Sequence, residues 1–86
     1  MPNTEAWTLR QKITGVLLRQ VRQEAGKSLE QCANVVGLSS SEMTDIEFGE
    51  RAISLPELEV LAYYLGVPLE RLFNGHAPGD RDALTG

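Results

Sequence analysis

Reduced to apolar and polar positions, the chain is a succession of short three-and-four patterns, each cut off by a glycine. Ile13, Leu17 and Val21, with Leu18, Val21 and Ala25 beside them, keep the spacing of a half-buried helix. The segment Thr8-Leu9-Arg10-Gln11 has the form of a capping box, so the pattern predicts a first helix from near Thr8 to Ala25, stopped by Gly26. Three further boxes follow. Ser28-x-x-Gln31 predicts a helix ending at Gly37, Ser39-x-x-Glu42 one ending at Gly49, and Ser54-x-x-Glu57, with Pro56 in its first turn, one ending at Gly66. Pro68 opens a short fifth segment, PLERLF, closed by Asn74-Gly75. Strand-like alternation and internal repeats are both missing from the sequence. The reading is all-α: a five-helix orthogonal bundle over residues 1–75, with 76–86 a flexible tail or linker.

The second and third helices carry the requirements of a steep corner. Ala33 lets two backbones approach, Gly37 suits the positive φ of the connection, and Cys32, Val36, Leu38, Met43 and Ile46 supply apolar side chains for the shared angle.

Composition narrows the possibilities. With 86 residues, 42% of them hydrophobic and 23% charged, this is one small folded domain. The single cysteine, Cys32, excludes an intrachain disulfide and reads as a buried corner thiol. No apolar run is long enough for membrane insertion and MPNTEAW has no signal-peptide pattern, which points to the cytoplasm. The net charge of −4 is unevenly spread: residues 1–27 carry five cations against two acids, residues 28–86 three cations against ten acids.

From Gly15-x-x-Leu18-Arg19-x-x-Arg22-x-x-x-Gly26 the chain resembles the phage-repressor and Cro-type helix-turn-helix family, often called Xre, whose members act as bacterial regulators. The resemblance runs on through Ser28, Ala33, Gly37, Ser39, Ile46-Glu47-x-Gly49 and Arg51. It closes on Pro56, Leu61-Ala62, Leu65-Gly66-Val67 and Leu72-Phe73-Asn74-Gly75. It implies a lambda-repressor-like domain with its helix-turn-helix unit at about 28–49, binding double-stranded DNA to regulate transcription.

Carried over by position, the resemblance makes Arg22 and Glu47 a structural ion pair beneath the third helix. It makes Ser39, Ser40, Ser41, Glu42, Thr44 and Asp45 the candidate base contacts, and Arg19, Lys27, Ser28 and Arg51 the candidate phosphate contacts. Leu29 stands where phage repressors usually have a phosphate-binding glutamine. Residues 28–50 hold no lysine or arginine, so amides at the helix starts near Ser28 and Ser40 are left to offer positive ends. A homodimer is implied, its contact expected in the stretch Leu65 to Phe73, which could equally close the core, and at Trp7.

The alternative is a protein-interaction module, since some bacterial membrane-associated scaffold proteins use a domain of this family to dock a protein partner. Phe48, outward on the helical wheel or folded over Leu38 or the first helix, bears on that choice. One of Tyr63 and Tyr64 is expected to cover the core with its hydroxyl in water. His76 is the sole histidine, and the sequence contains no nucleophile set, phosphate loop or metal-ligand spacing. The reading therefore calls for no enzyme activity and no cofactor.

Overall fold

A computed structural model describes residues 4–73, with side chains from Thr8 onward. It contains five helices: α1 (Thr4–Glu24), α2 (Leu29–Val35), α3 (Ser40–Glu47), α4 (Leu55–Leu65) and α5 (Glu70–Phe73). The expected tail 76–86, the Asn74-Gly75 stop and the side chain of Trp7 lie outside the described residues.

Helices α2, α3 and α4 begin as their sequences require. The hydroxyls of Ser28, Ser39 and Ser54 accept from the amides of Gln31, Glu42 and Glu57 at 3.0, 3.0 and 3.2 Å. The side chains of Gln31, Glu42 and Glu57 accept in return from the serine amides, at 2.8, 2.9 and 3.1 Å. Such a reciprocal box satisfies two of the four amides a helix start leaves unpaired.

The box expected at Thr8 is not a helix start. α1 begins at Thr4, four residues upstream, and Thr8 lies within it. Glu5 and Ala6 favour helix and nothing between Thr4 and Thr8 breaks one, so the helix extends past its sequence signal.

The core is drawn from all five helices. Leu18 and Val21 of α1, Cys32 and Ala33 of α2, Met43 and Ile46 of α3, Leu58, Leu61, Ala62 and Leu65 of α4 and Leu72 of α5 are all buried. Val36 and Leu38 pack partly buried against them, which completes the predicted corner. Leu65 and Leu72 thus take part in closing the core, one of the two roles open to that stretch.

The buried stripe of α1 differs from the expected one. Ile13 and Ala25 are exposed, and the inward line instead runs through Gly15, Leu18 and Val21. Gly15 is the reason. A Cβ placed there would stand 2.5 Å from the carbonyl oxygens of both Ile46 and Glu47, so α1 meets the end of α3 backbone to backbone at this point. That contact turns Leu9, Ile13 and Val16 toward solvent. Among the described residues no helix is long and apolar enough to cross a membrane.

Candidate nucleic-acid interface

Helix α3 is held from beneath by an arginine fork. Arg22 Nε donates to Glu47 Oε2 at 2.6 Å and Nη2 to Oε1 at 3.0 Å, while Nη1 donates to the carbonyl of Lys27 at 3.0 Å. The two side chains are 13% and 4% exposed. A bidentate, charge-assisted pair in this setting fixes both position and rotation of the helix it grips. The carboxylate's hydrogen bond raises the guanidinium pKa from its ordinary value against the opposing effect of burial. Just above the fork, burial pushes the Cys32 thiol pKa up, the condition of an unreactive packing residue.

With Met43, Ile46 and Glu47 inward, the opposite side of α3 faces solvent. Ser39, Ser40 and Ser41 are exposed, and Thr44 and Asp45 are partly so. Solvent reaches this side along the three serines, while Arg51 lies against Glu42 at its flank. The candidate readers nevertheless differ in what they have left to offer. Ser39 and Glu42 serve the capping box, and Thr44 Oγ1 already donates to the Ser40 carbonyl at 2.8 Å. Ser40, Ser41 and Asp45 carry no side-chain hydrogen bond or ion pair among the described residues, so their polar groups are available to a ligand.

The acidity of α3 is largely cancelled within the fold. Of its carboxylates, Glu47 is paired with Arg22, and Glu42 Oε2 lies 2.7 Å from Arg51 Nη1. The amide of Ser39 first, then the Arg51 guanidinium, holds the Glu42 carboxyl below its ordinary pKa. Asp45 is left as the uncompensated negative charge on the helix. The Glu42–Arg51 pair is not apparent in the sequence, because the irregular connection between α3 and α4 brings Arg51 back over the start of α3.

The cationic candidates differ in their surroundings. Arg19 is exposed and free of carboxylates among the described residues. Lys27 sits with its Nζ 5.2 Å from the ring centre of Tyr64, a cation–π distance that anchors its stem at the entrance to α2. Arg51 is tied to Glu42 but 38% exposed, so solvent reaches the guanidinium. Ser28 keeps its hydroxyl in its own capping box, which leaves the first-turn amides of α2 as the donors there. Leu29 is half-buried against the core, a packing role in place of a polar one. Phe48 is 59% exposed at the end of α3, the outward of the two placements open to it. Tyr64 covers the core while Tyr63 is 90% exposed. No cluster of histidine, cysteine and carboxylate side chains suited to a metal ion occurs among the described residues.

These elements, in this order, are those of known regulators. The controller protein C.AhdI of an Aeromonas hydrophila restriction-modification system is 33% identical, with a TM-score of 0.67 over 73% of this chain and 96% of its own. The DNA-binding domain of BldD is 28% identical, with a TM-score of 0.66 over 77% of this chain and 96% of its own. A hypothetical transcription factor from Neisseria, NHTF, is 27% identical, with a TM-score of 0.69 over 87% of this chain and 84% of its own. No curated protein matches the chain by sequence. The profile of the helix-turn-helix domain matches residues 14–73, from the turn of α1 that meets α3 to the last residue of α5. Fold, element order and profile agree, and the chain belongs to the helix-turn-helix domain family.

Proposed function

We propose that this chain is a sequence-specific DNA-binding transcription regulator that lays α3 in the major groove. The observation that carries the reading is the two-sidedness of α3. Its inner side is locked by Arg22 and Gly15, while Ser40, Ser41 and Asp45 stand outward with unengaged polar groups. Serine hydroxyls donate to or accept from several base edges, and a carboxylate accepts from the cytosine amino group. Ser39, Glu42 and Thr44 shape the edge of that surface. Arg19, Lys27 and Arg51, with the first-turn amides after Ser28, take the phosphates. About three cationic contacts make one subunit a weak binder, and two subunits linked at a half-site spacing of ~34 Å compensate. The proposed homodimer uses surfaces that the monomer leaves apolar, among them Val60 and Tyr63 of α4. The likeness to C.AhdI and to the DNA-binding domain of BldD supports this reading. It assigns no catalytic step and no cofactor, and it sets the protein to work in the cytoplasm.

The test is selection from a randomised duplex pool at low salt. An enriched inverted repeat is the expected result. Arg19→Ala and Arg51→Ala then weaken binding at every sequence and flatten its salt slope, whereas Ser41→Ala and Asp45→Ala change the preferred bases.

One observation favours a second reading. Phe48, exposed on the outward end of α3, suits a protein partner better than a phosphate backbone. A pool without enrichment, together with a protein whose capture is lost in Phe48→Ala, would replace the regulator by an interaction module.

A further inference from the structure

Away from the outward side of α3, a cleft of about 250 Å3 opens between the first half of α1, the α3–α4 connection and the end of α5. Its apolar surface comes from Ile46, Ile53, Leu58 and Phe73, while Arg10 and Arg51 supply its charged groups, and no carboxylate lines it. Arg10 is exposed and pairs with no acid among the described residues. In a chain of net charge −4, an apolar recess lined by the unpaired Arg10 and by Arg51, whose acid Glu42 lies outside the lining, is a local inversion of the overall field.

Size and polarity together limit what fits. An apolar cavity of ~150 Å3 takes a benzene-sized molecule, so this larger, half-open cleft suits an aromatic ring or a short acyl chain. The arginines add a requirement for an anion, and a planar carboxylate is the group a guanidinium fork matches best. We infer that the cleft is a binding site for a small anionic amphiphile, an apolar body of roughly a dozen heavy atoms carrying one carboxylate. Arg10 holds the carboxylate outright, and Arg51 joins it by leaving Glu42. That exchange is easy, because the Arg51–Glu42 pair is solvent-exposed on both sides, at 38% and 45%.

Occupancy has a consequence that rests on the DNA reading above. Arg51 cannot serve the carboxylate and a phosphate together, so ligand and duplex lower each other's affinity by the same factor.

The test titrates 3-phenylpropionate into the full chain and follows it by two-dimensional NMR, with 3-phenylpropanol as the uncharged control. Expected are shifts at Ile46, Ile53, Leu58 and Phe73, saturating with a Kd of about a millimolar or tighter. Arg10→Ala weakens binding about tenfold while leaving the spectrum of the folded chain intact. Ala52→Phe, at an exposed lining position, blocks it. Equal binding of 3-phenylpropanol, or no localised shifts, overturns the proposal. So do contacts from residues 74–86 to Ile53 or Leu58 before any ligand is added, since the chain would then fill its own cleft. A parallel duplex titration reads the coupling: loss of DNA affinity with 3-phenylpropionate supports the shared use of Arg51. Ligand binding by a chain that binds no duplex at all supports the cleft and overturns the DNA reading alone.

Discussion

Two arginine–glutamate pairs hold α3, one at each end, and they do different work. Arg22–Glu47 is almost closed from solvent, two-pronged and backed by a bond to the Lys27 carbonyl. Arg51–Glu42 is a single contact of 2.7 Å in the open. The chemistry is the same and the surroundings decide the role. Removing one partner of the first strands a charge in the protein interior, which is expensive. Opening the second returns both groups to water. The inner pair is therefore part of the frame, and the outer one is a neutralising counter-ion that a phosphate or carboxylate can displace.

The largest effect that would break this comparison is at the inner pair. Glu47→Ala should cost about 3 kcal/mol in urea denaturation, because the Arg22 guanidinium keeps its burial and loses its partner. A loss below ~1 kcal/mol would place the inner pair among ordinary surface contacts. Gly15→Ala comes next, at about 2 kcal/mol, since the new methyl has only carbonyl oxygens to meet and α1 must withdraw from α3. Ser39→Ala should cost about 1 kcal/mol by removing the cap that also positions Glu42. Equal losses at Ser28 and Ser54 would show that the cap of α3 has no special standing.

The smallest effect is in the pH profile. The Glu42 carboxyl titrates lower in the folded chain than in the unfolded one, so the unfolded state binds the proton more readily. Its stabilising contribution is complete above the ordinary value of 4.5 and drains away as pH falls through the lowered folded value. Glu42→Gln keeps a cap acceptor but removes the titration, so thermal unfolding followed from pH 6 downward should flatten in that limb. An unchanged limb would assign the acid sensitivity to other carboxylates.

The readable parts of the sequence were the local ones. Each true capping box spans four residues, and Ser28, Ser39 and Ser54 start helices where their spacing says. The Arg22–Glu47 pair spans 25 positions and came from the family resemblance together with the helical wheel of α3. What the pattern misplaced depends on neighbours. Thr8 has the right box but lies inside a helix already begun at Thr4, and Ile13 has apolar spacing but faces away from the side on which Gly15 admits α3. The Arg51–Glu42 pair and the Arg10 cleft were illegible for a related reason. Both depend on how residues 49–54, which have no periodicity, pass the first half of α1. The sequence thus gave away its helix starts and its corner more readily than its surface chemistry.

The lock beneath α3 carries an engineering consequence. Since orientation is settled by Gly15, Arg22 and Glu47, the outward triplet Ser40, Ser41 and Asp45 has little architectural duty. A combinatorial library at those three codons should yield soluble, folded variants with altered operator choice, turning the helix into an exchangeable cassette on a constant chassis.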